Sequence, residues 1–142
     1  MEVALAATVL ALTLTGMVQV IQSGSEMLDV SRKQTIAAQI LHDEIEQVRL
    51  QSWSYVSGTI PSTMTTIPTN SPLAISTVFA SVGGNFTCQY QATQVKDIAG
   101  SSIPMMQVTF KVTWSGITGH SYSRWATTLV SQNGLSVAFQ RS

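Results

Sequence analysis

The chain has 142 residues, room for one domain of ordinary size, and its seven basic and seven acidic side chains cancel. Nothing in this balance suggests an electrostatic nucleic-acid binder, which would need a basic face, and no nucleic-acid partner is expected. Its single cysteine, Cys88, excludes an intrachain disulfide, a CxxC redox pair, a cysteine-rich zinc site and a CxxCH haem attachment.

The chain opens "MEVALAATVLALTLTGMVQVIQ". A carboxylate, Glu2, stands directly before 23 uncharged residues, 3–25. An ionised group at the lip of an apolar run is costly unless a specific partner answers it. At about 1.5 Å per residue, residues 3–21 are enough to cross roughly 30 Å of hydrocarbon. No Lys or Arg precedes the run and its helical pattern continues past it, so a cleaved secretory signal is not expected. Ala4, Ala6, Ala7, Thr8, Ala11, Thr13, Thr15 and Gly16 are small enough to allow close helix–helix approach.

From Glu26 the pattern turns amphipathic. Ile36, Ile40, Leu41, Ile45 and Val48 recur at spacings of three to four and form one apolar stripe. Arg32, Lys33, Asp43, Glu44, Glu46 and Arg49 are expected off that stripe, on a solvated face. Asp29 with Lys33 and Glu46 with Arg49 have the spacing of helical ion pairs. With no proline before Pro61, the reading is one long helix over about residues 3–53. Its apolar part is 1–25, its amphipathic part 26–53, and its soft region lies between Gly16 and Gly24.

Residues 54–84 are a Thr/Ser/Pro-rich connection without charge, typified by "GTIPSTMTTIPTNSP". Pro61, Pro68 and Pro72 stop a helix and favour extended surface loop. Its hydroxyls offer acceptor sites for glycans, and Asn85-Phe86-Thr87 matches the N-glycosylation triplet, a frequent chance match.

Residues 85–142 read as an antiparallel sheet. In "NFTCQYQATQV", Phe86, Cys88, Tyr90 and Ala92 alternate with Thr87, Gln89, Gln91 and Thr93. There Cys88 reads as a small buried hydrophobe. In "MQVTFKVTW", Met106, Val108, Phe110, Val112 and Trp114 alternate with polar residues. In "HSYSRWATTLVS", Tyr122, Ala126 and Val130 share one face, with Trp125 and Leu129 on the other. Glycine-containing breaks at 96–103 and 115–119 suit hairpin loops, and "LSVAF" adds a short fourth strand. The fold class is therefore α+β: a long helix packed on a small antiparallel sheet of three to four strands. The helix stripe, Ile36, Ile40, Ile45 and Val48, is expected to cover the apolar sheet face carrying Phe110 and Trp114.

No catalytic constellation stands out. His42 and His120 lie in no motif, and Asp43, Glu44 and Glu46 are too close along one helix to face each other across a cleft. There is no Gly-rich phosphate loop and no metal-ligand spacing. An enzyme is not expected, nor a cofactor or metal.

An apolar N-terminal helix headed by glutamate, its amphipathic continuation and a small sheet resemble the type IV pilins and the pseudopilins of type II secretion. The likeness is most specific in "MEVALAATVLALTLTGMVQ", where Met1 and Glu2 fall on the fourth and fifth positions of the family's mature pattern. "AAQILHDEIEQVRLQSW" and "VTFKVTWSGITGHSYSRWATTLVSQNGL" are similar to the helix end and closing hairpin of PilV-like minor pilins and I-type pseudopilins. Gln19 stands where many pilins have proline, which leaves Gly16 and Gly24 to ease unwinding.

The resemblance implies a structural subunit of a helical filament, polymerising with itself or with other pilins. The precursor would sit in the bacterial inner membrane, and the filament would be extracellular or span the periplasm. Val3, Leu5, Val9, Leu10, Leu12, Leu14, Val18 and Ile21 would form the filament core. Glu2 would direct assembly by pairing with the N-terminal amine of a neighbouring subunit. The alternatives are a pseudopilin that pushes substrates through a secretion channel, and a monomeric membrane-anchored binding module.

Overall fold

A computed structural model of the chain describes residues 2–75, 86–95, 104–132 and 136–139. The long helix α1 spans Glu2–Leu50 and is continuous through Gly16 and Gly24. At 1.5 Å per residue it is about 75 Å long. It stops three residues short of the expected Trp53, because Ser52 takes an extended conformation (φ −70°, ψ 153°) and N-caps a separate short helix, α2, Trp53–Gly58. The Ser52 side chain accepts a hydrogen bond from the Tyr55 N–H, the preferred use of serine at a helix start.

Among the described residues, five antiparallel strands follow, each pairing with its neighbour in sequence: β1 Thr65–Thr66, β2 Thr87–Val95, β3 Met105–Ser115, β4 Ser121–Ser131 and β5 Ser136–Phe139. The long central pairings align Tyr90 with Phe110 and Phe110 with Ala126. Alternation then sends Cys88, Tyr90 and Ala92, Val108, Phe110, Val112 and Trp114, and Ala126, Thr128 and Val130 to one buried face. The opposite face carries Thr109 and Thr127, whose hydroxyls share a 3.3 Å hydrogen bond, and Trp125, with the Lys111 ammonium 4.8 Å from its ring centre. The break expected at 96–103 lies outside the described residues. The break at 115–119 is a tight turn in which Gly119 takes φ +82°, a conformation L side chains rarely adopt.

The second half of α1 covers the buried sheet face. Ala37, Ile40, Leu41, Ile45 and Val48 are buried with Phe110, Val112 and Trp114 in one core, and Ile36 packs at its margin. Trp114 lies between Phe86 and Tyr122, with ring centres 6.2 and 6.0 Å away.

The proline-rich connection is more than a surface loop. Ile60, Ile67 and Leu73 enter the same core, and Val56 from α2 is fully buried beside them. Its backbone also closes the edge of β2: Thr65 and Thr66 pair with Tyr90 and Gln89, Ile67 N–H donates to Cys88 C=O at 3.0 Å, and Ala92 N–H donates to Pro61 C=O at 2.8 Å. An edge strand left bare would present a row of unpaired backbone groups, and this segment satisfies several of them. The extra strand β1 could not be anticipated from period-two patterning, since two residues do not make a period.

Candidate functional site

Among the described residues, nothing packs on the first half of α1. Residues 2–25 are exposed on every side and touch no part of the sheet core. Val3, Leu5, Val9, Leu10, Leu12, Leu14, Met17, Val18, Val20 and Ile21 are each more than half exposed, with Val3 at 84% and Leu12 at 74%. At about 1.5–3 kcal/mol for each side chain moved out of water, covering these ten offers on the order of 15 kcal/mol. That is as much as the whole stability of a typical domain, so covering this half with lipid or with other helices would be strongly favourable. By length and composition, α1 is the one helix among the described residues that could cross a membrane.

The polar side chains in this half suit an apolar cover. Thr8, Thr13 and Thr15 each donate a 2.8 Å hydrogen bond to the carbonyl of Leu5, Leu10 and Ala11, one turn back. Hydroxyls satisfied by their own helix present no orphan donor to hydrocarbon or to a neighbouring helix. A β-carbon added at Gly16 or Gly24 would meet no atom within 4 Å, so both leave an open surface for close approach. Glu2 lies exposed in the first turn, where its charge complements the positive end of the helix dipole. No described group of this chain pairs with it.

At the base of the free half, the β3–β4 turn is fastened to α1. Lys33 donates from Nζ to the Ser115 carbonyl at 3.0 Å and pairs with Asp29 at 2.8 Å, while the Thr118 hydroxyl donates to Glu26 Oε1. Glu26 is thus both the first charge after the apolar run and a clasp between helix and sheet. Neither Thr118 nor Ser115 carries a sequence signal for this role; only folding brings them to the helix.

Farther along α1, one expectation is overturned. Asp43 and Glu46 stay at or near the surface, but Glu44 is only 1% exposed and neither carboxylate oxygen has a hydrogen-bond partner. Burial, and secondarily the Asp43 charge, raises its pKa from 4.5 to about 8. The Cys88 thiol from β2 is also buried and held well above its ordinary pKa, first by desolvation and then by the Glu44 charge. Glu44 is therefore protonated at neutral pH. It belongs to the helix–sheet core, not to a solvated acidic face.

His42 is exposed on α1, and His120 precedes β4 at the turn. Among the described residues, no group of three or more His, Cys, Asp or Glu side chains converges as metal ligands would. Ile36, Ile40, Ile45, Val48, Phe110 and Trp114 lie together in the core, whereas Glu2, Val3 and the apolar side chains through Ile21 lie together on the free half. Set against known proteins, the chain matches no family model, no curated protein and no solved structure.

Proposed function

We propose that this chain is a structural subunit of a helical filament of the type IV pilus kind, held in a membrane by α1 until it polymerises. The observation that carries the reading is a single continuous helix whose second half belongs to a domain core and whose first half is largely apolar and exposed on every side. Lipid covers that half in the precursor, and copies of the same helix cover it in the filament. In the filament each copy adds by one repeated operation, so contacts are heterologous and the assembly is open.

Glu2 has a defined task in this scheme. A carboxylate carried into a bundle of apolar helices is destabilising by several kcal/mol unless paired, so its partner sets the axial register between subunits. The N-terminal amine of a neighbouring subunit is the partner that the reading assigns. The role is structural and involves no catalysis, cofactor or nucleic acid. The hydroxyl-rich connection and outer sheet face would lie on the filament surface, where glycans could be attached. A pseudopilin would use the same helix packing in a short periplasmic filament.

The test is replacement of Glu2 by Ala in the native cells, with electron microscopy and mass spectrometry of sheared surface material. The expected outcome is loss of filaments containing this chain while its membrane-bound amount is unchanged. Filaments that form normally with the neutral side chain would refute the assembly role. A monomeric anchor predicts no polymer at all and tolerance of the substitution, because Glu2 at the headgroup level contributes only about 0.3–1 kcal/mol through the helix dipole.

A further inference from the structure

We infer that the turn between β3 and β4 is a membrane-contact site, which seats the globular domain on a lipid surface by inserting Ile117 into the interface. This rests on the reading of α1 as membrane-held before assembly. It adds a second, separate element that touches lipid.

The turn has the sequence "SGITGH", and its one large apolar side chain, Ile117, is 69% exposed. Isolated exposed aliphatic residues are ordinary, so the argument depends on where this one is held. The turn is clamped to α1 at two levels, by Thr118 on Glu26 and by Lys33 on the Ser115 carbonyl. It is stiffened within by Gly116 N–H on the His120 carbonyl at 2.8 Å and Gly119 N–H on the Gly116 carbonyl at 3.1 Å. A β-carbon at Gly116 would stand 3.1 Å from the Tyr122 ring, which would have to give way by a few tenths of an ångström. The tip is therefore positioned by contacts with both α1 and its own strands.

That position matches the end of the apolar run. Ile117 and Thr118 line one notch with Gln19, Ile21, Gln22 and Glu26. Residues 3–21 measure roughly 28 Å along the axis, close to the 30 Å thickness of a bilayer's hydrocarbon core. If residue 3 lies at one boundary, the other falls at Ile21, one of the helix residues between Gln19 and Glu26 that share the notch with Ile117. The turn thus carries its exposed isoleucine to the boundary between acyl chains and headgroups. Glu26, about 7 Å beyond Ile21 along the helix, is already hydrogen-bonded to Thr118 and stands at headgroup level, while Asp29 and Lys33, paired with each other, lie farther out. Tyr122 lines a second notch with α1 residues from Ser23 to Gln34, on the side of the turn away from the apolar run.

The experiment uses the full chain in vesicles of phosphatidylethanolamine and phosphatidylglycerol. Ile117→Cys is labelled with the polarity-sensitive dye nitrobenzoxadiazole, and quenching by lipids carrying a nitroxide near the headgroup is measured. Cys88 is 2% exposed and remains unlabelled in the native chain, so the wild-type protein serves as the blank. Leu12→Cys reports on the helix interior, and Ser62→Cys on the exposed connection. The expected result is blue-shifted emission from position 117, quenched by about half at the interfacial depth of ~5–10 Å, with no quenching at position 62. Water-like, unquenched emission at 117 with a buried, quenched signal at 12 overturns the turn's role and leaves the membrane-held helix standing. Unquenched emission at both 117 and 12 overturns the membrane-held reading and the inference with it.

Discussion

Burial of Glu44 without a partner should make the stability of this protein fall as pH rises, and substitution should remove the effect. Its carboxyl is 1% exposed, lacks any hydrogen-bond partner, and has a pKa raised from 4.5 to about 8. The native state thus holds a proton that the unfolded chain releases, and stability must decline wherever the native state binds more protons. The stabilising contribution of the protonated form is complete below about pH 4.5, shrinks through the neutral range, and is lost above about pH 8. The gap between the two pKa values corresponds to roughly 5 kcal/mol at full ionisation. Between pH 5 and pH 8.5 about 4 kcal/mol of it titrates. At 2–4 °C per kcal/mol, the native chain in detergent micelles should lose about 8–16 °C in Tm over that range. The charged and titratable groups nearest the site are Asp43 on α1 and the Cys88 thiol on β2.

Glu44→Leu keeps the volume apolar and removes the proton. It should raise Tm at pH 8.5 and flatten the pH dependence relative to the native chain, as followed by circular dichroism. Asp43→Asn removes the second cause of the raised pKa, so the decline should be smaller and end at a lower pH without disappearing. The difference between native and Glu44→Leu slopes isolates this group from the two histidines. Equal slopes for the two proteins across pH 5–8.5 would refute the reasoning, because a carboxyl buried in this way cannot be ionised without destabilising the fold.

Two further outcomes follow from the core. Phe110→Ala empties the centre of the sheet's buried face, where the side chain is 0% exposed, and should destabilise the chain by about 3–5 kcal/mol in urea unfolding. Trp125→Ala on the opposite face, 44% exposed and lying under the Lys111 ammonium, should lose no more than about 1 kcal/mol. Cys88 should resist thiol reagents in the native chain and react on unfolding, because the buried thiol is kept from its reactive thiolate form. Labelling of native protein at the rate seen in urea would contradict its burial.

The architecture was legible where physical periods are long. Residues 86–92 and 106–114 alternate cleanly enough to assign every inward side chain, because a half-buried strand has a period of two and each stretch repeats it several times. The long helix was legible for the complementary reason, a charge-free run followed by a stripe without an intervening proline. Its end was not: Ser52 ends α1 by capping the next helix, and a serine beside Trp53 reads equally well as the last turn of the first. Ile60, Ile67 and Leu73 were hidden among prolines and threonines that speak only of extended backbone. Their burial follows from the gap left between α1 and the sheet, a tertiary fact.

Glu44 is the instructive case because its position was readable and its residue type misled. Ala37, Ile40, Leu41, Ile45 and Val48 are buried, and steps of three and four from Ile40 and Leu41 reach 44 before they reach 48. Helical geometry alone therefore puts residue 44 in the middle of the stripe. Charge argued for placing it on the solvated face, since glutamate is rarely buried without a partner. Geometry prevailed because α1 cannot rotate to release one residue without exposing Leu41, Val48 and their neighbours. Expelling five apolar side chains at about 1.5–3 kcal/mol each exceeds the burden of burying one carboxyl that can take up a proton. Glu2 presents the opposite balance. It stands at the exposed end of the same helix, where solvent satisfies its charge; only in the proposed filament would that solvent be displaced and a partner be required.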